Sequence, residues 1–207
     1  MTRTGHALLA WLLLLTISVS DLWVTLYFNP SLSSEANPLV AQLGLERSGL
    51  IVSNAVIVAL IGLGLWIYRQ RPRGIPPLPA RDPWAYAGVS LYRRQMTRLE
   101  FWRAFLLCWP LPSNGHQFFR FAGFFTAWAV VVARASAVFA WFANEELEWS
   151  WYLDIREAIA IGGYPCLELF IGLAFGVAMI PVLVHSEYRL DHPERTAPSS
   201  SGHDDLR

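Results

Sequence analysis

The sequence predicts an all-α membrane protein of four transmembrane helices, both termini cytoplasmic, with a basic, aromatic interfacial segment between helices two and three. Three observations point there. Hydrophobic residues fill 54% of the 207 positions, with 10 Trp and 12 Phe, more than one soluble core of this size usually holds. Four apolar runs reach the roughly 20 residues that carry a helix across hydrocarbon. The charges between those runs are segregated by sign. In hydrocarbon only helices and closed barrels satisfy the backbone, and runs this long read as helices.

The first span covers about 7–29. Arg3, the apolar run and the small residues Ser18 and Ser20 resemble a signal peptide, but hydrophobicity continues past Asp21 to Phe28, as in an uncleaved span. The second covers 48–68, between Arg47 and Arg69. The third covers 121–143, between Arg120 and Glu145. The fourth covers 158–184, after Glu157 and ending at His185. The expected organisation is a first hairpin (1–69), a cytoplasmic Pro/Arg-rich linker with its interfacial segment (70–119), a second hairpin (120–186) and a disordered cytoplasmic tail (187–207), too polar to bury a core.

Orientation follows from the loops. Arg69 to Arg120 carries nine arginines against Asp82 and Glu100, whereas 143–157 carries five acids against Arg156. The positive-inside rule places the basic loop, and both termini, in the cytoplasm. Trp141, Trp149, Trp151 and Tyr152 then form an outer aromatic belt. Within the basic loop, 72–83 is proline-rich and reads as extended spacer. Tyr92, Met96, Leu99, Trp102, Leu106 and Trp109 recur at helical spacing beside Arg93, Arg94, Arg98 and Arg103. That pattern suits a helix on an anionic membrane surface, and makes these basic and aromatic residues the candidate partner-binding face.

Net charge is zero, with sixteen Arg, no Lys and sixteen acids, which argues against nucleic-acid binding by bulk charge. Cys108 and Cys166 form neither a disulfide framework nor a CxxC site and read as small apolar filler. No nucleotide-binding, metalloprotease or hydrolase motif is present, and no cofactor is expected. Glu145-Glu146 resembles the paired glutamates of membrane CAAX-type proteases, but Ser150 stands where that motif has Arg, and the reading is rejected.

Four polar side chains interrupt the spans: Asp21, Asn54, Arg134 and Glu168. At 1.5 Å per residue the three charged ones fall roughly 12–16 Å below the outer edge, and Asn54 roughly 10 Å. One shared cluster is expected, with Ser18, Asp21 and Thr25 on one face of span one and Pro165, Glu168, Gly172 and Gly176 on one face of span four. A fixed guanidinium fork between two carboxylates locks helices together. It also leaves one carboxyl in excess, able to move a proton, bind a cation or hold a head group. His6, His116 and His185 lie near the inner ends of spans one, three and four and are weak candidates for a metal or haem site.

Asp21, Thr25 and Glu35-x-Asn37-Pro38 resemble an uncharacterised family of small bacterial polytopic inner-membrane proteins, which share an intramembrane Asp and a Glu-x-Asn-Pro motif. The resemblance covers the first hairpin, about 10–68, and implies a bacterial inner membrane. Glu35 and Asn37 would then stand at the outer mouth of the charge cluster.

Three functions fit these features. The leading one is a non-enzymatic accessory or assembly subunit, binding a membrane-protein partner, a second copy or lipid through the buried cluster and the basic loop. The alternative is a small transporter or channel for protons, cations or a small solute, using Asp21 and Glu168. The third is an intramembrane lipid-modifying enzyme using Asp21 and Glu35.

Overall fold

The computed structural model describes residues 2–32, 46–73, 80–107, 109–161 and 164–192. The outer-mouth candidates Glu35 and Asn37 lie outside them. Among the described residues the elements are α1 (Arg3–Phe28), α2 (Arg47–Arg69), α3 (Pro83–Tyr92), α4 (Arg98–Leu107), α5 (Gly115–Glu145), α6 (Ser150–Ala158), the strands β1 (Ala160–Ile161) and β2 (Tyr164–Pro165), and α7 (Leu167–Asp191). α1, α2, α5 and α7 are long and apolar enough to cross a membrane, and the chain is a multi-pass integral membrane protein. Their 23–31 residues make rods of about 35–46 Å, longer than the roughly 30 Å of hydrocarbon. Leu8, Leu12, Val52, Leu60 and Leu169 lie on their exposed faces, as lipid-facing side chains should.

The chain divides into two compact units, Met1–Arg71 with Phe119–Ile180, and Pro72–Phe118 with Pro181–Arg207. In the first unit α5 touches the other three long helices. Against α1 it keeps a constant register. Asp21 meets Arg134, 113 residues on, and Phe28 stacks on Trp141 at the same offset, ring centroids 6.1 Å apart. Leu14 and Ala127, one heptad earlier on each helix, share a buried apolar cluster. A constant positive offset makes the two helices parallel, and a seven-residue repeat of contacts is the left-handed supercoil seam.

α2 runs antiparallel to α5, and the two come together at glycines. A Cβ added to Gly123 would lie 2.6 Å from the backbone C and O of Gly64, so only hydrogen fits at this crossing. One turn before Gly123, Arg120, 1% exposed, donates from Nε and Nη2 to the Tyr68 carbonyl at 3.3 and 3.2 Å. Its charge thereby satisfies a carbonyl in the last turn of α2 and complements the helix dipole there. Gly172 and Gly176 of α7 lie against Ala129, Ala133 and Phe125 of α5.

The fourth span differs from expectation. The apolar run from 158 is not one helix: α6 ends at Ala158, β1 and β2 pair antiparallel (Ala160 opposite Pro165, Ile161 opposite Tyr164), and α7 starts at Leu167. Pro165 therefore lies in a strand before the helix, and Glu168 stands in the first turn of α7 rather than eleven residues inside a span. Hydropathy alone cannot separate an apolar hairpin from an apolar helix.

In the second unit the expected single stripe from Tyr92 to Trp109 is divided between two helices. Asp82 caps α3, its Oδ1 accepting from the Trp84 and Ala85 amides at 2.8 and 3.0 Å, and Pro83 takes the first helical position, where its missing N–H does no harm. The end of α3 is Arg93 in the left-handed region, φ 58°. A new cap then opens α4. The Thr97 amide donates to Glu100 Oε2 at 2.7 Å and the Glu100 amide to Thr97 Oγ1 at 3.3 Å, a reciprocal Thr-x-x-Glu box. The break divides the stripe: Tyr92 and Met96 are buried, whereas Leu99, Leu106 and Trp109 are exposed.

The Glu100 carboxyl is held below its ordinary value of 4.5, first by the Thr97 amide and then by the Thr97 hydroxyl. A depressed folded value means that the cap contributes above the ordinary value and is lost as pH falls through the folded one. Hydrogen exchange of the first α4 amides, corrected for intrinsic rate, should therefore lose protection as pH falls through that lowered value, and Glu100→Gln should remove that pH dependence. Unchanged protection in acid would place the cap elsewhere.

The tail also begins later than expected. α7 continues to Asp191, because Tyr188 is buried and packs with Ala80 and Tyr86, Tyr188 stacks on His192 at 4.6 Å, and the Tyr86 hydroxyl donates to Asp191. Residues 193–207 lie outside the described ones.

Candidate functional site: the charged groups of the spans and the basic segment

The four polar groups expected in one cluster are divided. Arg134 Nη1 donates to Asp21 Oδ2 at 3.1 Å, with side-chain exposures of 13% and 20%. The parallel register of α1 and α5 puts the two at one level. Asn54 turns back on its own helix and donates from Nδ2 to the Leu50 carbonyl at 3.0 Å. That satisfies the amide within one turn of α2.

Glu168 does not pair with Arg134. Its Oε1 accepts from Arg156 Nε at 2.8 Å and from the Tyr152 hydroxyl at 3.4 Å. α6 and the short hairpin bring these partners to the first turn of α7, where the helix dipole also favours a carboxylate. Tyr152 closes the group on its apolar side, packed with Ala140, Ala143 and Leu167. Arg156 and Tyr152 were missed from sequence as site residues. The available signal was that Arg156 is the lone base among the acids of 143–157.

Burial, and then the neighbouring Glu168 charge, push the Tyr152 phenol up to about 12. Spectrophotometric titration of the wild type minus Tyr152→Phe in detergent isolates this group. The difference should have its midpoint about two units above an ordinary tyrosine near 10, and a midpoint near 10 would mean that Tyr152 faces water.

Asp21 and Glu168 thus each have an arginine, a different one, and the expected excess negative charge is absent from the Asp21–Arg134 pair. Chemically, a matched pair between two helices acts first as a clamp: its donors and acceptors are directed at each other rather than at a guest.

His6, His116 and His185 do not assemble. Among the described residues no three His, Cys, Asp or Glu side chains group to hold a metal ion. His185 Nδ1 donates to the Pro181 carbonyl at 2.8 Å, and its ring meets Trp84 edge-on.

The basic segment between the second and third spans is built around α3 and α4. Trp84 packs on Phe101 and Trp102 at centroid distances of 5.5 and 6.0 Å, and the Arg98 guanidinium lies 5.5 Å from the Trp84 ring centroid, a cation–π geometry. Phe101 and Ala104 are buried on the inner face of α4. Arg93, Arg94, Arg98 and Arg103 are exposed. Trp109, 78% exposed, follows the helix.

No protein family, curated protein or solved structure matches this chain.

Proposed function

We propose that this chain is a non-enzymatic accessory or assembly subunit of a bacterial inner membrane, with both termini in the cytoplasm, that binds a membrane partner or lipid. The observation that carries this reading is the pairing of Asp21, inside α1, with Arg134 of α5, while Glu168 at the start of α7 pairs with Arg156 of α6. A fixed guanidinium beside a carboxylate favours its charged form and so opposes its cycling through a protonated state. The orientation draws on the nine arginines between Arg69 and Arg120 and the positive-inside rule. The inner membrane draws on the likeness of the first hairpin.

The test is purification of the full chain in mild detergent with mass spectrometry of what remains bound, beside proton and cation flux in proteoliposomes. A stoichiometric protein or retained lipid, with no flux, is the expected result. Flux in the wild type that Asp21→Asn abolishes in a folded, inserted protein would overturn the proposal and establish the transport reading.

A further inference from the structure

The outer face of α4 carries a mixed surface that the fold leaves uncovered. Leu99, Leu106 and Leu107 are 60%, 59% and 73% exposed, and Trp109 and Leu111 just beyond the helix are 78% and 71% exposed. Arg98 and Arg103 are exposed on the same helix, with Glu100 as its one acid, and the exposed Arg93 and Arg94 precede it. The opposite face is committed to the fold, with Phe101 and Ala104 buried and Phe101 packed against Trp84 and Tyr92. Large aliphatic side chains would not remain in water beside a cluster of arginines without an occupant of matching chemistry. Leucines that enter acyl chains while arginines stay among phosphates are the two halves of an interfacial helix.

We infer that this face of α4 lies on the anionic lipid of the bilayer that the spans cross, with Arg93, Arg94, Arg98 and Arg103 on lipid phosphates and Leu99, Leu106, Leu107 and Trp109 among the upper acyl chains. Connectivity favours lipid over a protein partner. Only residues 108–114 separate α4 from α5, which itself enters the membrane. The leaflet is therefore always within reach, and binding it forfeits no translational freedom. The charge sign is also that of an anionic leaflet, on the side the arginine excess selects. This inference rests on the orientation proposed above and names the lipid class that the inner segment takes.

The experiment places an environment-sensitive fluorophore on Leu106→Cys, in a full chain with Cys108 and Cys166 replaced by alanine, reconstituted in vesicles. One vesicle type is phosphatidylcholine alone and the other adds phosphatidylglycerol. Phosphatidylglycerol should lower quenching by aqueous iodide at least about threefold, and replacing the four arginines by glutamine should restore it. The same label on Leu60→Cys, on the lipid-exposed side of α2, should be shielded in both vesicle types and in both backgrounds, which shows that the variants fold and insert. Iodide access unchanged by phosphatidylglycerol, or shielding that survives loss of the arginines, would overturn the inference. So would an accessible Leu106 label in phosphatidylglycerol that becomes covered on adding a co-purified protein partner. That last outcome leaves the accessory-subunit reading standing, so the two proposals fail separately.

Discussion

Arg134→Ala should destabilise the bundle by about 3 kcal/mol, near the lower end of what breaking a buried ion pair costs. The residual exposure of the pair, 13% for Arg134 and 20% for Asp21, keeps the loss below that of a fully dry pair. The loss arises because Asp21 stays within the span after its cation has gone. Removing both charges is a different experiment. Asp21→Leu with Arg134→Met keeps the volume of the seam and leaves nothing ionised, and should return stability to within about 1 kcal/mol of wild type. Thermal unfolding in one detergent reads both, and the double-mutant cycle gives the coupling directly. If Arg134→Ala melts with the wild type, the pair does not hold α1 to α5. If the double variant is as unstable as the single, the charges do something besides neutralise each other.

Gly123→Val should be of similar or larger size. A Cβ at residue 123 would stand 2.6 Å from the Gly64 backbone, and a backbone cannot rotate away as a side chain can. Overpacking in cores costs about 1–3 kcal/mol, and the upper end is expected where main chain is the obstacle. For a chain of this length that is roughly a 5–10 °C fall in Tm. Gly62→Ala is the contrasting case, since its added methyl meets the ring of Trp11, which has rotamers to use; its Tm should fall by less than half as much. Helix propensity alone would favour both substitutions, so equal losses at 62 and 123 would show that the main-chain approach of α2 and α5 does not set the cost at 123.

The legibility of this chain divides along physical lines. Four spans were readable because hydrocarbon imposes length and composition on a segment one residue at a time, without reference to its neighbours. The level at which Asp21 and Arg134 meet was readable for the same reason: rise per residue converts position into depth. Their pairing needed more, namely the parallel register of α1 and α5, which arises from packing of both helices. Glu168 shows the limit. Its expected depth assumed a helix from 158, and the Gly162-Gly163 turn signal lay unused inside an apolar run. Once β1 and β2 occupy that run, Arg156 and Tyr152 become the partners of Glu168. Along the basic segment, Thr97-x-x-Glu100 was a legible capping box, and it divides a stripe that periodicity alone would carry through.

The sequence by itself determined the class of the molecule, the number of its spans and the sign of each loop, because these depend on composition summed along short stretches. Only the tertiary structure decided which arginine answers which carboxylate, and which face of α4 is left bare. Those outcomes depend on distances between residues 12 and 113 positions apart, set by helix packing that no local pattern encodes.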